Sequence, residues 1–262
     1  VGDLFWYVNQ HEYPDCTERE LIDKITQDVS TATYWGPPPN LTFLKGEGLV
    51  VEPPKPLPAL DERQLLAFIP PPRAILAHLQ NERKLTREAV DYWELGYSRK
   101  AHRVIVPIRA RDGRLVAISG RALGEGVNPK YRHTKGFKRD FILYGEDKVE
   151  PGRVGYLHEG FFACIYAWQF GYRNNVARMG THLSGYQEDR LVEWFSKLVI
   201  VPDGDNPGME SAGQIFDRVQ HRIPTTVAPM PFGSEVDRLS QNELRKVMGS
   251  PETVIDTEVA AH

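Results

Sequence analysis

The sequence predicts an α/β fold: a parallel sheet flanked by helices, preceded by a smaller, basic α+β part. Three observations between Gly155 and Ala212 carry this. Runs of apolar or β-type residues at Val154–His158, Asn175–Arg178 and Leu198–Val201 are each followed by a segment of helical period. Each run ends on a glycine beside an acid or a hydroxyl: Glu159-Gly160, Gly180-Thr181 and Asp203-Gly204-Asp205. The run Leu198–Val201 is apolar throughout, as a strand covered on both faces requires. Ligands of such sheets sit at the carboxyl ends of the strands. Glu159, Asp203 and Asp205 therefore converge on one rim. Crowded carboxylates repel unless a cation neutralises them, and hard oxygen ligands suit Mg²⁺ or Mn²⁺.

Composition bounds the class. A chain of 262 residues holds one large or two small domains. Its 41% hydrophobic and 26% charged residues are ordinary for a globular protein. No apolar run approaches the ~20 residues that span a bilayer, so no membrane partner is expected. Val1–Gln10 lacks the basic and apolar regions of a signal peptide. The first residue is not Met, which implies a trimmed or processed chain. Cys16 and Cys164 stand far apart and form no metal-ligand pattern, so no zinc is expected and a reducing cytoplasm is the setting. A net charge of −3 gives no global sign of nucleic-acid binding, so the distribution of charge matters more.

The elements follow in order. Residues 1–33 hold two helical candidates, one after Asp3 and one over Thr17–Val29 with a capping box of Thr17 and Glu20. Residues 34–60 carry Pro37, Pro38, Pro39, Pro53, Pro54, Pro56 and Pro58 and read as an extended linker with one short strand at Leu49–Val51. Residues 61–150 form the basic subdomain. It has helices over Glu62–Ile69, Arg73–Asn81 and Thr86–Trp93, and strands over Val104–Ile108 and Leu115–Ile118. The strands flank Asp112-Gly113, a hairpin signal, and Pro107 belongs at an edge or bulge. Residues 151–248 form the parallel-sheet subdomain, with helices over Phe161–Phe170, Ser184–Lys197, Met209–Val219 and Gln241–Met248 and a last strand over Thr225–Ala228. Ser184 and Gln187 resemble a capping box. Residues 249–262 are a frayed tail. His158 and His182 are read as structural.

Between Arg99 and Arg139 the cations are Arg99, Lys100, Arg103, Arg109, Arg111, Arg114, Arg121, Lys130, Arg132, Lys135, Lys138 and Arg139, against Asp112 and Glu125 alone. Tyr131 and Phe137 are interleaved. The stretch is either a solvated hairpin surface or a charged groove with stacking aromatics, as single-stranded nucleic acid requires. Gly120-Arg121 and Asn128-Pro129-Lys130 read as turns, from which side chains reach a ligand.

Several of these segments resemble one family. Pro107-Ile108-Arg109 with Asp112-Gly113-Arg114, Ser119-Gly120-Arg121-Ala122-Leu123-Gly124, Pro129-Lys130-Tyr131 and Leu143-Tyr144-Gly145 are similar to the RNA-polymerase domain of bacterial and phage DnaG-type primases. Glu159-Gly160, Gly180-Thr181 and Asp203-Gly204-Asp205 with Gly208 resemble its toprim fold. Gly233-Ser234-Glu235-Val236-Asp237 resembles its later acidic motif, and Arg83-Lys84-Leu85 its Arg-Gly-Leu. Gly2-Asp3-Leu4-Phe5 is similar to the segment after its zinc ribbon. There are departures. The zinc-ribbon cysteines are absent, Ala163 stands where the family has Asp, and Glu235 and Val236 replace Asp and Pro. The helical C-terminal portion is missing or shortened.

The resemblance implies a toprim-like parallel sheet and a DNA primase core that makes short RNA primers on single-stranded DNA from NTPs. Two or more Mg²⁺ or Mn²⁺ ions would be held by Glu159, Asp203, Asp205, Glu235 and Asp237. Glu159, Asp203 and Asp205 would be catalytic, with Glu159 as base or ligand. Arg83, Arg109, Arg121, Lys130, Lys138 and Arg139 would contact nucleic acid or NTP. A replicative helicase and a separate zinc-binding module are the implied partners, in the cytoplasm of a bacterial cell whether the gene is cellular or phage-encoded. Two rivals stay open: another toprim enzyme such as a metal-dependent nuclease, and a non-catalytic binding scaffold. Taken alone, Asp203-Gly204-Asp205 is a turn, and only its place after an apolar strand makes it a ligand set.

Overall fold

The computed structural model describes residues 56–124 and 126–250. The helices and strand expected within residues 1–55 and the tail beyond residue 250 lie outside the described residues.

Helix α1 (Arg63–Leu66) is a single turn, shorter than the expected Glu62–Ile69. The backbone competes for the missing residues: the Phe68 carbonyl accepts from the Tyr97 amide at 2.9 Å, and Pro70 follows closely. Helices α2 (Arg73–Glu82) and α3 (Arg87–Tyr92) match their expected positions, and the Thr86 side chain caps α3 by accepting from the Ala89 amide. Strands β1 (Gly96–Ser98), β2 (Arg103–Arg109), β3 (Leu115–Ala122) and β4 (Tyr131–His133) form an antiparallel sheet in that order. The β2–β3 hairpin turns at Asp112-Gly113 as expected. Pro107 sits in β2 beyond the reach of β1, which pairs only with Arg103–Ile105, and a register shift follows at Ile108/Arg109. Arg121 lies within β3, where a turn was expected, because β3 runs on to pair with β4.

The second sheet is parallel throughout, in the order β6-β5-β7-β8: β5 (Val154–His158), β6 (Asn175–Ala177), β7 (Lys197–Val201) and β8 (Thr225–Val227). All four apolar residues of β7 are buried. Helices α4 (Phe161–Trp168), α5 (Gly185–Trp194) and α6 (Asn206–Val219) connect the strands, and α7 (Gln241–Met248) closes the described chain. The Ser184/Gln187 capping box is present. Helix α5 stops at Trp194, short of the expected Lys197, because Ser196 donates to the Arg153 carbonyl on the way into β7. Helix α6 starts one turn earlier than expected. Asp205 caps it, and Pro207 in the first turn loses no hydrogen bond there.

The two sheets share one core. Leu79 and Val90, Val104, Val106 and Ile108, and Phe161, Phe162 and Trp168 with Leu244 belong to a single buried cluster. Tyr144 exchanges backbone hydrogen bonds with Ala177 at 2.9 and 3.0 Å, which covers the β6 edge. A second cluster lies on the other face of the parallel sheet, between α5 and α6. There Gly155 makes room for the Phe195 ring, since a Cβ would stand 2.2–2.4 Å from it. Gly155→Ala is expected to cost about 1–3 kcal/mol by overpacking. Adding Phe195→Leu should return part of that, read as denaturant midpoints. Equal midpoints for Gly155→Ala and wild type would sink the idea.

Candidate active site

The carboxyl ends of the parallel strands line up as one rim, in the order set by the sheet. Arg178 follows β6, Glu159 follows β5, Asp203 and Asp205 follow β7, and Glu235 and Asp237 follow β8. Asp203 is the focus. Burial first, then the charges of Glu159, Glu235, Asp205 and Asp237, push its carboxyl up to about 6. The sequence-predicted acids are thus all within electrostatic reach of Asp203.

The backbone between them is tightly built. Gly204 donates to the Ser234 carbonyl at 2.8 Å and accepts from the Gly233 amide at 2.6 Å, so the loop before Glu235 is pinned to the turn between the two aspartates. A Cβ on Gly204 would lie 2.2 Å from the Pro231 carbonyl oxygen, and one on Gly208 would lie 2.4 Å from the Asp203 carbonyl oxygen. Asp205 uses one carboxylate oxygen to accept from the Gly208 amide at 2.7 Å.

Two of the acids already hold cations. Asp237 is buried and pairs with Arg83 at 2.9 Å. Glu159 pairs at 3.2 Å with Arg178, whose side chain is 3% exposed. Arg178 was missed in the sequence. Its signal was its position, directly after an apolar strand run, where a parallel sheet presents its ligands. The next residue, Met179, has a left-handed φ of 63°, a conformation that costs about 1 kcal/mol or more and is held by its amide donating to the Glu159 carbonyl.

Among the described residues no group of three or more His, Cys, Asp or Glu side chains is drawn together into a metal shell. The donor set nevertheless fits a hard divalent cation. Asp203 is a half-buried carboxylate whose charge its neighbours disfavour, and Asp205 and Glu235 are exposed carboxylates beside it. Ala163 is half-buried in the first turn of α4, packed on the core. His158 is a core residue, as expected: its Nε2 stands 2.7 Å from Asn175 Oδ1, and burial pushes it down to about 4. His182 is exposed.

Beside the rim lies a cavity of about 610 Å³, lined by Arg83, Arg121, Lys130, Arg238, Phe162 and Glu235 among others. Arg83 and Arg121 lie over the Phe162 ring at 5.0 and 5.9 Å, and Arg121 also covers Tyr131 at 4.9 Å. The structure therefore brings Arg83 to Arg121 and Lys130, from which it is far removed in sequence. Phe162 and Arg238 were not singled out, because each follows a motif, Glu159-Gly160 or Glu235-Val236-Asp237, of which the acids alone were read. Lys138 and Arg139 lie elsewhere, exposed near the β6 end. There Arg139 donates to the Met179 carbonyl at 3.2 Å.

The basic stretch is less available than its composition suggests. Arg109, expected to contact nucleic acid or NTP, is held by Glu62 and Glu94 in two ion pairs of 2.7 Å, which bind its proton more tightly than usual. Arg103 is buried and donates to the carbonyls of Gly120, Pro129 and Lys130. Arg114 pairs with Asp112. The exposed remainder includes Lys130, Arg132, Lys135, Lys138 and Arg139. Among the described residues no helix is long and apolar enough to cross a membrane.

A parallel sheet in this order, with acids at the ends of three strands, defines the class as a toprim domain, and residues 156–240 match the family described as Toprim-like. Residues 98–150 match the family described as DNA primase catalytic core, N-terminal domain. The two matches stand in the order of a DnaG-type primase catalytic core, and the chain carries that core's fold.

A DNA primase of Halalkalibacterium halodurans is 34% identical over 149 residues, which is 54% of this chain and 25% of that protein. A crystallised DNA primase domain from Pseudomonas aeruginosa is 25% identical with a TM-score of 0.57, covering 69% of this chain and 71% of that one. A DnaG primase catalytic domain solved bound to ssDNA shares the fold, with a TM-score of 0.62 at 18% identity over 71% of this chain and 76% of that one. The chain spans about a quarter of the length of the first curated relatives it matches.

Proposed function

We propose that this chain is the catalytic core of a DNA-directed RNA polymerase of the primase type, making short RNA primers on single-stranded DNA. One observation carries the reading: a cationic cavity and an acidic rim share Glu235 as a common wall. A nucleoside triphosphate needs both, cations around its phosphates and carboxylates to hold the metal that accompanies them.

In this reading Arg83, Arg121, Lys130 and Arg238 neutralise the triphosphate, with Phe162 and Tyr131 as the apolar backing that keeps the guanidinium groups in place. Asp203, Asp205 and Glu235 would hold Mg²⁺ or Mn²⁺. When bound, the metal supplies charge neutralisation at the α-phosphate and eases loss of the primer 3′-hydroxyl proton. The new bond joins that 3′-oxygen to the α-phosphorus, and pyrophosphate leaves. Asp237 keeps Arg83 aimed into the cavity. Lys138 and Arg139 belong to the path of the template strand, and a helicase and a zinc-binding module are the partners this activity calls for.

The test is incorporation of labelled NTPs on unrelated single-stranded templates, with and without Mg²⁺ or Mn²⁺. Metal-dependent cutting of DNA without incorporation would replace the reading with a nuclease. A second expected result concerns binding. The exposed cations Lys130, Arg132, Lys135, Lys138 and Arg139 give a salt slope of roughly −3 to −4 in log K for single-stranded DNA, at about −0.7 per phosphate contact. Titrations at several salt concentrations check it, and a slope shallower than about −1 would remove this face from the DNA path.

A further inference from the structure

Arg178 stands at the end of β6 with almost no exposure, a place where a guanidinium persists only if it is paired. Its Nη2 donates to Glu159 Oε2 at 3.2 Å. Its Nη1 donates to the Thr181 carbonyl and to the Ser211 hydroxyl on α6. Ser211 in turn donates to the same Thr181 carbonyl at 2.6 Å. Swinging the guanidinium out would leave Glu159 and these acceptors without it, so the cation is fixed in place. Glu159 and Asp203 both act on it electrostatically.

The rim is consequently asymmetric. On the Glu159 side a buried cation is already present, and the first turn of α4 offers the methyl group of Ala163 packed on the core. On the Asp203 side the carboxylates of Asp203, Asp205 and Glu235 have no ion-pair partner among the described residues.

We propose that Arg178 is a resident counter-charge of the acidic rim: it takes Glu159 as its own partner, leaves Asp203, Asp205 and Glu235 as the divalent-cation ligands, and weakens the rim's hold on that cation. The proposal rests on the metal-dependent reading of the site. Arg178 is a positioning residue, since it reaches the cation only through Glu159 and the local field. Replacing it by a neutral side chain frees Glu159 and removes one unit of positive charge beside the metal. Replacing it by lysine keeps the charge.

The test is Mn²⁺ binding by calorimetry, without nucleotide or DNA, on the wild-type chain, Arg178→Gln, Arg178→Lys and Ser211→Ala. Arg178→Gln is expected to bind Mn²⁺ roughly tenfold more tightly, and to gain more thermal stability from Mn²⁺ than wild type does. Arg178→Lys should stay within about threefold of wild type. Ser211→Ala loosens one anchor of the guanidinium and should tighten Mn²⁺ about twofold. That variant carries the test alone if Arg178→Gln does not fold without metal. Unchanged or weaker Mn²⁺ binding in folded Arg178→Gln, or in Ser211→Ala when it stands alone, overturns the proposal and leaves the proposed function standing. No Mn²⁺ binding by any of the four chains overturns the metal-dependent reading itself.

Discussion

Asp203→Asn is expected to lower primer synthesis by at least ~100-fold while making the metal-free protein more stable at neutral pH. The two effects share one cause. Asp203 is half-buried and feels the charges of Glu159, Glu235, Asp205 and Asp237, so its carboxyl titrates near 6 in the folded chain, above the ordinary carboxylate value. The folded state therefore binds more protons than the unfolded one between about pH 4 and pH 6, and stability falls as pH rises through that window. At pH 7 the strain is fully present, of order 3 kcal/mol at most without metal. Asparagine removes the charge, and with it both the strain and the ligand. Unfolding midpoints from pH 4 to 8 beside NTP incorporation check this. A variant that keeps most of the activity would remove Asp203 from the catalytic assignment. A pH profile of stability unchanged from wild type would mean that the carboxylates do not crowd.

Gly204→Ala is expected to abolish activity and to cost about 3 kcal/mol or more of stability. Its Cβ would meet the Pro231 oxygen at 2.2 Å and the Ser234 oxygen at 2.8 Å, both backbone atoms that cannot rotate away. Relief requires moving the loop before Glu235, the turn between Asp203 and Asp205, or both. Either movement scatters the acids that meet at the rim. The control is Gly213→Ala in α6, where a Cβ meets nothing within 4 Å. It should be neutral or stabilising by up to about 1 kcal/mol, since alanine favours a helix over glycine. Equal stability of the two variants would show that the loop yields more easily than its hydrogen bonds suggest.

Local patterns were legible where the physics is local. The Asp112-Gly113 hairpin, the Thr86 cap and the Ser184/Gln187 capping box depend on residues within a few positions of one another. The parallel sheet followed from the alternation of apolar runs and helical periods, and its acidic rim from the residues that end those runs. Boundaries slipped where tertiary contacts compete: α1 gave up residues to a bond from Tyr97, and α6 gained a turn from Asp205 and Pro207.

The distribution of charge was the least legible feature. The cations of 99–139 look equivalent in the sequence. Yet Arg109 is locked between Glu62 and Glu94, Arg103 is buried beneath the β3–β4 connection, and Lys130 stays exposed. Arg178 lies outside that stretch and pairs with Glu159 at the rim. The sequence by itself determined the order of motifs along the chain, the acids that end the strands and the family these features resemble, because periodicity and strand-end chemistry repeat along the chain. Only the tertiary structure decided which cations face the cavity, which acids are already paired and that Glu159 shares its charge with Arg178. An ion pair is set by distances across the fold, and residues such as Arg83 and Asp237, 154 positions apart, carry no mark in sequence of meeting at 2.9 Å.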